Sequence, residues 1–109
     1  MEINMIICGL YKENDSVSLE MKGHAGFAAE GSDIVCSAAS ILCYTLAAFL
    51  EKIPKTEIKK EMEKGDAYIE AEINKKNAET VNAAMDFVSV GFELLETAYP
   101  KNISVRKNF

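Results

Sequence analysis

The sequence predicts an α+β domain in the order ββαββαβ, a two-layer arrangement with a mostly antiparallel sheet and two helices on one face. Three observations carry this. Segments of alternating apolar and polar residues recur in pairs across polar turns, as in Val17, Leu19 and Met21 or Ala67, Ile69, Ala71 and Ile73. Two long segments repeat apolar residues at helical spacing, and each is followed by a proline, Pro54 or Pro100. At 109 residues the chain is long enough for one core and too short for two, so residues 1–109 are read as a single domain.

The first strand covers residues 2–11. Ile3, Met5, Ile7 and Tyr11 alternate with Ile6, Cys8 and Leu10, so both faces are apolar. Such a strand is buried on both sides or packed against a partner chain. The turn Glu13-Asn14-Asp15-Ser16 leads to a half-buried second strand that ends at Gly23, with His24 at its exit. A loop with Gly26, Phe27 and Gly31 follows. Ser32 or Asp33 can cap the first helix, expected over 33–51, whose residues leave it little polar surface.

Lys64-Gly65-Asp66 marks a second hairpin. Its first strand, 56–63, is charged (Lys59, Lys60, Glu61, Glu63), as suits a sheet edge. Its second, 67–73, has one wet face. Asn77 is expected to cap the second helix, which runs to about Tyr99 with a core stripe of Val81, Ala84, Met85, Val88, Phe92 and Leu95. Phe87, Val90 and Leu94 widen that stripe beyond what one sheet covers. Ile103 and Val105 form a last short strand. Surplus apolar area on the first strand and second helix predicts a homodimer.

Charge and composition narrow the function. A net charge of −5 with no basic stripe argues against nucleic-acid binding, and suits a basic polypeptide better. Met1-Glu2-Ile3-Asn4 lacks the basic head and apolar run of a signal peptide. The longest apolar candidate, Ile34 to Leu50, is interrupted by Ser37, Ser40 and Thr45, so no membrane span is expected. Three cysteines without framework or zinc spacing fit a reducing cytoplasm. Neither cofactor nor metal is expected, because His24 and Cys36 together offer two metal ligands where three or four are usual.

The chemistry concentrates between His24, the single histidine, and Cys36, twelve residues on. With Asp33 as the cap, Cys36 would fall at the third helical position. There unpaired N–H groups and the helix dipole favour an anion. A thiolate is the nucleophilic form of cysteine, and a neighbouring imidazole can take its proton. First-turn N–H groups can hold the oxyanion of a tetrahedral intermediate. Short neighbours, Ser32 and Ser37, leave the sulfur accessible.

More ordinary roles stay open on spacing alone. A cysteine in an apolar helix commonly serves as a small buried hydrophobe. Cys43 lies two helical turns from Cys36, about 10.5 Å, too far for a disulfide. Cys8 reads as core. Asp33 serves as a cap or as the acid that orients the imidazole. Ser40 shares a helix face with Cys36, where it joins the site or stays solvated. Phe27 is a core plug or part of a lid over an apolar subsite.

At these residues the sequence resembles the ribosomal-processing cysteine protease family, Prp. The resemblance lies in Gly23-His24-Ala25, then Gly31-Ser32-Asp33-Ile34-Val35-Cys36, then Ser40, and length and element order follow the same pattern. It implies an endopeptidase that removes the N-terminal extension of ribosomal large-subunit protein twenty-seven, cutting after Phe-Phe and before Ala. It further implies Cys36 as nucleophile, His24 as base, Asp33 and Ser40 near the site, and a homodimer whose glycine-bearing loop orders over substrate. Ser37 departs from the alanine common after the cysteine. Competing functions are a ribosome-associated module that binds a protein tail without cutting it, and a thiol redox sensor. The sensor lacks a resolving cysteine nearby.

Overall fold

A computed structural model describes residues 5–23, 32–63 and 66–109, with backbone alone for Ser32 and Asp33. The chain runs β1 (Ile6–Lys12), β2 (Ser16–Lys22), α1 (Ser32–Glu51), β3 (Ile58–Glu63), β4 (Asp66–Glu72), α2 (Ala78–Ala98) and β5 (Ile103–Lys107). The order ββαββαβ is the one read from periodicity. The five strands form one sheet in the order β3-β4-β2-β1-β5. Only β1 and β5 pair in parallel; the other neighbours are antiparallel.

Period-two patterning explains how the sheet meets the helices. Ile6, Cys8 and Leu10 of β1 face the core with Val17, Leu19 and Met21 of β2 and Ala67, Ile69 and Ala71 of β4. Val35, Ala39, Cys43, Leu46 and Leu50 of α1, with Val81, Met85, Val88 and Phe92 of α2, complete it. Burial of each large aliphatic or aromatic side chain contributes roughly 1.5–3 kcal/mol. By length and composition, Ile34–Glu51 could cross a membrane, although the interrupting hydroxyls suggested otherwise. In this fold the segment is the helix that closes the core.

Of the two covers the sequence allowed for β1, a second layer within the chain or a partner chain, the helices supply one face alone, that of Ile6, Cys8 and Leu10. On the opposite face Ile7 is 41% exposed. There Tyr11 folds back over Gly9, its hydroxyl 2.5 Å from where a Cβ would sit. Residues 2–4 of the expected strand lie outside the described residues.

Asn77 occupies the α2 cap position, but its side chain makes no capping hydrogen bond. It turns inward instead, and is 1% exposed. Its Nδ2 donates to Thr56 Oγ1 at 2.9 Å and to the Glu72 carbonyl at 3.0 Å, while its Oδ1 accepts from the Asn74 N–H at 2.8 Å. The chain before β3, the end of β4 and the start of α2 are thereby tied together. Satisfying every polar atom of a buried amide outweighs a cap that water could replace.

The C-terminal end of the sheet is fastened to α2. Glu96 Oε2 accepts from the outward N–H of Val105 at 2.7 Å, and Lys12 pairs with Asp86 at 2.6 Å. An edge strand whose N–H is occupied by a carboxylate offers a poor template for another chain.

Cys8 and Cys43 are both 0% exposed, with Cys43 Sγ 3.9 Å from Met21 Sδ. Burial pushes the Cys8 thiol far up and the Cys43 thiol up to about 12 from an ordinary 9.0. A native state that keeps these protons gains from them below the unfolded value and loses that gain as pH rises through the folded values. Denaturant unfolding should therefore show full stability at pH 7.5 and a decline between about pH 9 and pH 12. Cys43→Ala should flatten that slope. At neutral pH, a thiol reagent should modify Cys36 alone in the native protein and all three cysteines after unfolding.

Candidate active site

Helix α1 sorts its residues onto distinct flanks. Val35, Ala39, Cys43, Leu46 and Leu50 form the buried stripe. Beside it run Cys36, Ser40, Tyr44, Ala47 and Glu51, spaced by four, four, three and four residues on one face. Cys36 is half-buried and packs against the core margin. Its neighbour Ser37 is exposed. Ser40 is half-buried and its hydroxyl makes no hydrogen bond among the described residues.

The helix starts one residue earlier than the expected range 33–51, and two earlier than a cap at Asp33 implies. Ser32 is already helical, so Asp33 lies within the first turn rather than at the cap. Cys36 is the fifth helical residue instead of the third, and its own N–H lies within the i→i−4 ladder. The N–H groups without an intrahelical partner belong to the turn before it. Helical side chains tilt towards the N-terminus, which inclines Cys36 over that turn. The reason for the shift is that Ser and Asp are acceptable both as caps and inside a first turn, so the sequence allows either start.

Gly23 ends β2 and is the described residue next to His24. Its φ of +93° lies in a region that L side chains rarely adopt. A Cβ built there would also stand 2.5 Å from the Met5 carbonyl oxygen, a backbone atom that cannot swing away. Glycine is thus required twice at the point where the chain leaves the sheet. Eight residues, 24–31, then connect it to α1. His24, Ala25, Gly26, Phe27 and Gly31 lie outside the described residues, as do the side chains of Ser32 and Asp33.

Of the three cysteines, only Cys36 has solvent access; Cys8 and Cys43 are sealed in the core. Tyr44, 55% exposed, belongs to the same flank but was not among the residues singled out from sequence. Its position eight residues after Cys36, two turns along one face, is the signal that would have found it. Among the described residues, no group of three or more histidine, cysteine or acidic side chains could hold a metal ion.

The described part of the site is thus a half-buried thiol on a helix margin, accessible from solvent. The chain belongs to the cysteine protease Prp family, whose model matches residues 5–104. It is a cysteine protease. SMU.848 from Streptococcus mutans has a similar structure, with TM-score 0.76 and 26% identity over 95% of this chain and 94% of that one. The S. aureus ribosomal processing protease Prp, solved with a substrate peptide, shares the fold at TM-score 0.78 and 19% identity, over 95% of this chain and all of that one. The same S. aureus protease, solved with a covalently linked product peptide, aligns at TM-score 0.76 and 20% identity. No curated protein matches the chain at a significant level.

Gly23→Ala should cost about 1–3 kcal/mol of stability from backbone strain and the clash with Met5. The loss should appear in chemical denaturation. Peptide cleavage at a temperature where the variant remains folded should fall as well, because the chain leading to His24 would leave β2 along a different path.

Proposed function

We propose that this protease trims the N-terminal extension of ribosomal large-subunit protein twenty-seven, with Cys36 as nucleophile and His24 as general base. One observation carries the choice of Cys36. A cysteine protease needs an accessible thiol, and the other two thiols, Cys8 and Cys43, are 0% exposed with their protons held by burial. His24 follows directly in sequence on Gly23, where the described chain leaves β2, and the chain holds no other imidazole, which supports His24. The S. aureus relative described as a ribosomal processing protease supports the substrate class.

In this reading His24 removes the Cys36 proton, and the sulfur bonds to the carbonyl carbon of the second residue of an aromatic pair. The carbonyl π electrons move to oxygen, whose charge first-turn N–H groups of α1 can stabilise. When the intermediate collapses, the C–N bond breaks, His24 delivers its proton to the leaving amine, and a thioester remains on Cys36. Water, deprotonated by His24, attacks the thioester; the C–S bond breaks, the sulfur regains its proton and the extension leaves as a carboxylate. Phe27 and the glycines Gly26 and Gly31 supply a loop that closes over substrate, with Ser32, Asp33 and Ser40 supporting the site. No cofactor enters these steps.

Three unpaired thiols fit a reducing cytoplasm, where such a substrate is made. A peptide with a Phe-Phe-Ala junction should be cut by the wild type after the second Phe. Cys36→Ala should abolish cutting, and His24→Ala should lower kcat by at least about 100-fold. Mass spectrometry of the products decides; cleavage by Cys36→Ala at the wild-type rate would assign the chemistry elsewhere.

The homodimer belongs to the same proposal. Phe87 is 82% exposed, Leu94 66%, Val90 56% and Phe49 45%, forming one apolar face along the α1–α2 groove. Such a face exceeds the scattered apolar exposure of ordinary surfaces. Sedimentation should give twice the chain mass for the wild type and the monomer mass for Phe87→Glu with Leu94→Lys. A monomeric wild type would refute this part.

A further inference from the structure

On the other side of α1, away from α2, a groove of about 730 Å³ separates the helix from β3. Tyr44, Ala47 and Ala48 form its α1 wall, and Met62 and Lys60 its β3 wall. Lys60 pairs with Glu51 at one end, fixing strand and helix there. The groove's helical wall is the continuation of the flank that begins with Cys36 and Ser40. From Cys36 to Glu51 that flank measures about 22 Å, the length of roughly six or seven extended residues.

β3 is the end strand of the sheet. Its pairing parity follows from one hydrogen bond: the Glu72 N–H donates to the Glu57 carbonyl at 2.9 Å, in line with the β3–β4 register. Glu57, Lys59, Glu61 and Glu63 therefore direct their backbone groups towards β4. Ile58, Lys60 and Met62 direct theirs outward, along the groove. The side chains of the same three residues face the helices. Ile58 and Met62 pack against the core margin, Lys60 reaches α1, and the remaining charges lie on the open face. Among the described residues, the outer edge of β3 is unpaired and borders a groove whose helical wall lies on the same α1 flank as the candidate nucleophile.

We infer that the peptide substrate binds here as an added strand, pairing its backbone with the outward N–H and C=O groups of Lys60 and Met62 and placing an apolar side chain between Tyr44 and Met62. Backbone pairing holds a chain extended without reading its sequence, and alternate side chains then enter the groove. An extended chain is the form a protease must present to its nucleophile. The opposite sheet edge is less suited, because Glu96 occupies the Val105 N–H of β5. The inference rests on the reading of Cys36 as nucleophile, and its test uses binding so that the two fail separately.

A fluorescent peptide with the Phe-Phe-Ala junction is titrated into the Cys36→Ala protein, and into the same protein carrying Lys60→Pro or Lys60→Ala. Proline removes the outward N–H while sparing the ladder to β4; alanine removes the charge and the Glu51 pair but keeps the N–H. Lys60→Pro should weaken binding about tenfold and Lys60→Ala less than about twofold. A scan of singly N-methylated peptides against the Lys60-intact protein needs no folded proline variant. It should show losses at every second residue, the signature of strand addition. Equal losses for both substitutions, N-methyl losses without that alternation, or no detectable binding would overturn the inference. Cleavage by Cys36→Ala would overturn the nucleophile assignment while leaving the binding pattern to stand by itself.

Discussion

The burial of one stripe of α1 against the sheet is the constraint on which the molecule depends. Val35, Ala39, Cys43, Leu46 and Leu50 are each at most 3% exposed, and they meet strands whose inward residues are equally sealed. Because helical residues fall at 100° intervals, fixing that stripe fixes the direction of every other α1 side chain. Cys36 is thereby held at the margin of the core, Leu42 and Phe49 are turned to α2, and Tyr44 is turned to β3. No separate device is needed to hold the thiol at the surface. Even Gly91 of α2 serves this arrangement, since a Cβ there would stand 2.8 Å from Leu42 Cδ2 and oblige that side chain to shift.

The same burial divides three chemically identical thiols into two kinds. Cys8 and Cys43 face each other's elements across the core, and desolvation keeps their protons in place. Cys36 is seven residues before Cys43 on the same helix. Seven residues leave a 20° offset from two whole turns, and the helix end exposes its margin where the middle does not. Position along the helix, more than residue type, separates a core cysteine from an accessible one.

Much of this was legible in the sequence because it depends on periodicity. The alternation in Val17, Leu19 and Met21 and the helical repeats around Leu46 and Phe92 gave element order and core together. What could not be read depended on the third dimension. Asn77 carried a capping signal, yet its amide is consumed by Thr56, Glu72 and Asn74, partners up to 21 residues away. Ser32 and Asp33 were acceptable on either side of the helix start, so local chemistry could not choose between them. On the apolar outer side of β1, Tyr11 folds back on Gly9 and occupies part of the face the helices leave open, a contact that alternation alone does not show. Tyr44 escaped notice because nothing marks it until β3 is placed opposite.

The charged character of β3 takes on a second meaning in this light. Lys59, Lys60, Glu61 and Glu63 discourage a hydrophobic strand from pairing with this edge at random. Parity nevertheless puts Lys59, Glu61 and Glu63 on the open face, and turns Ile58 and Met62 to the helices. The groove side is therefore mostly apolar, broken by Lys60, whose charge is paired with Glu51. An edge can guard against adventitious strands through one face and remain receptive through the other. Protection and recognition are compatible here because a strand's side chains alternate while its outward backbone groups belong to every second residue.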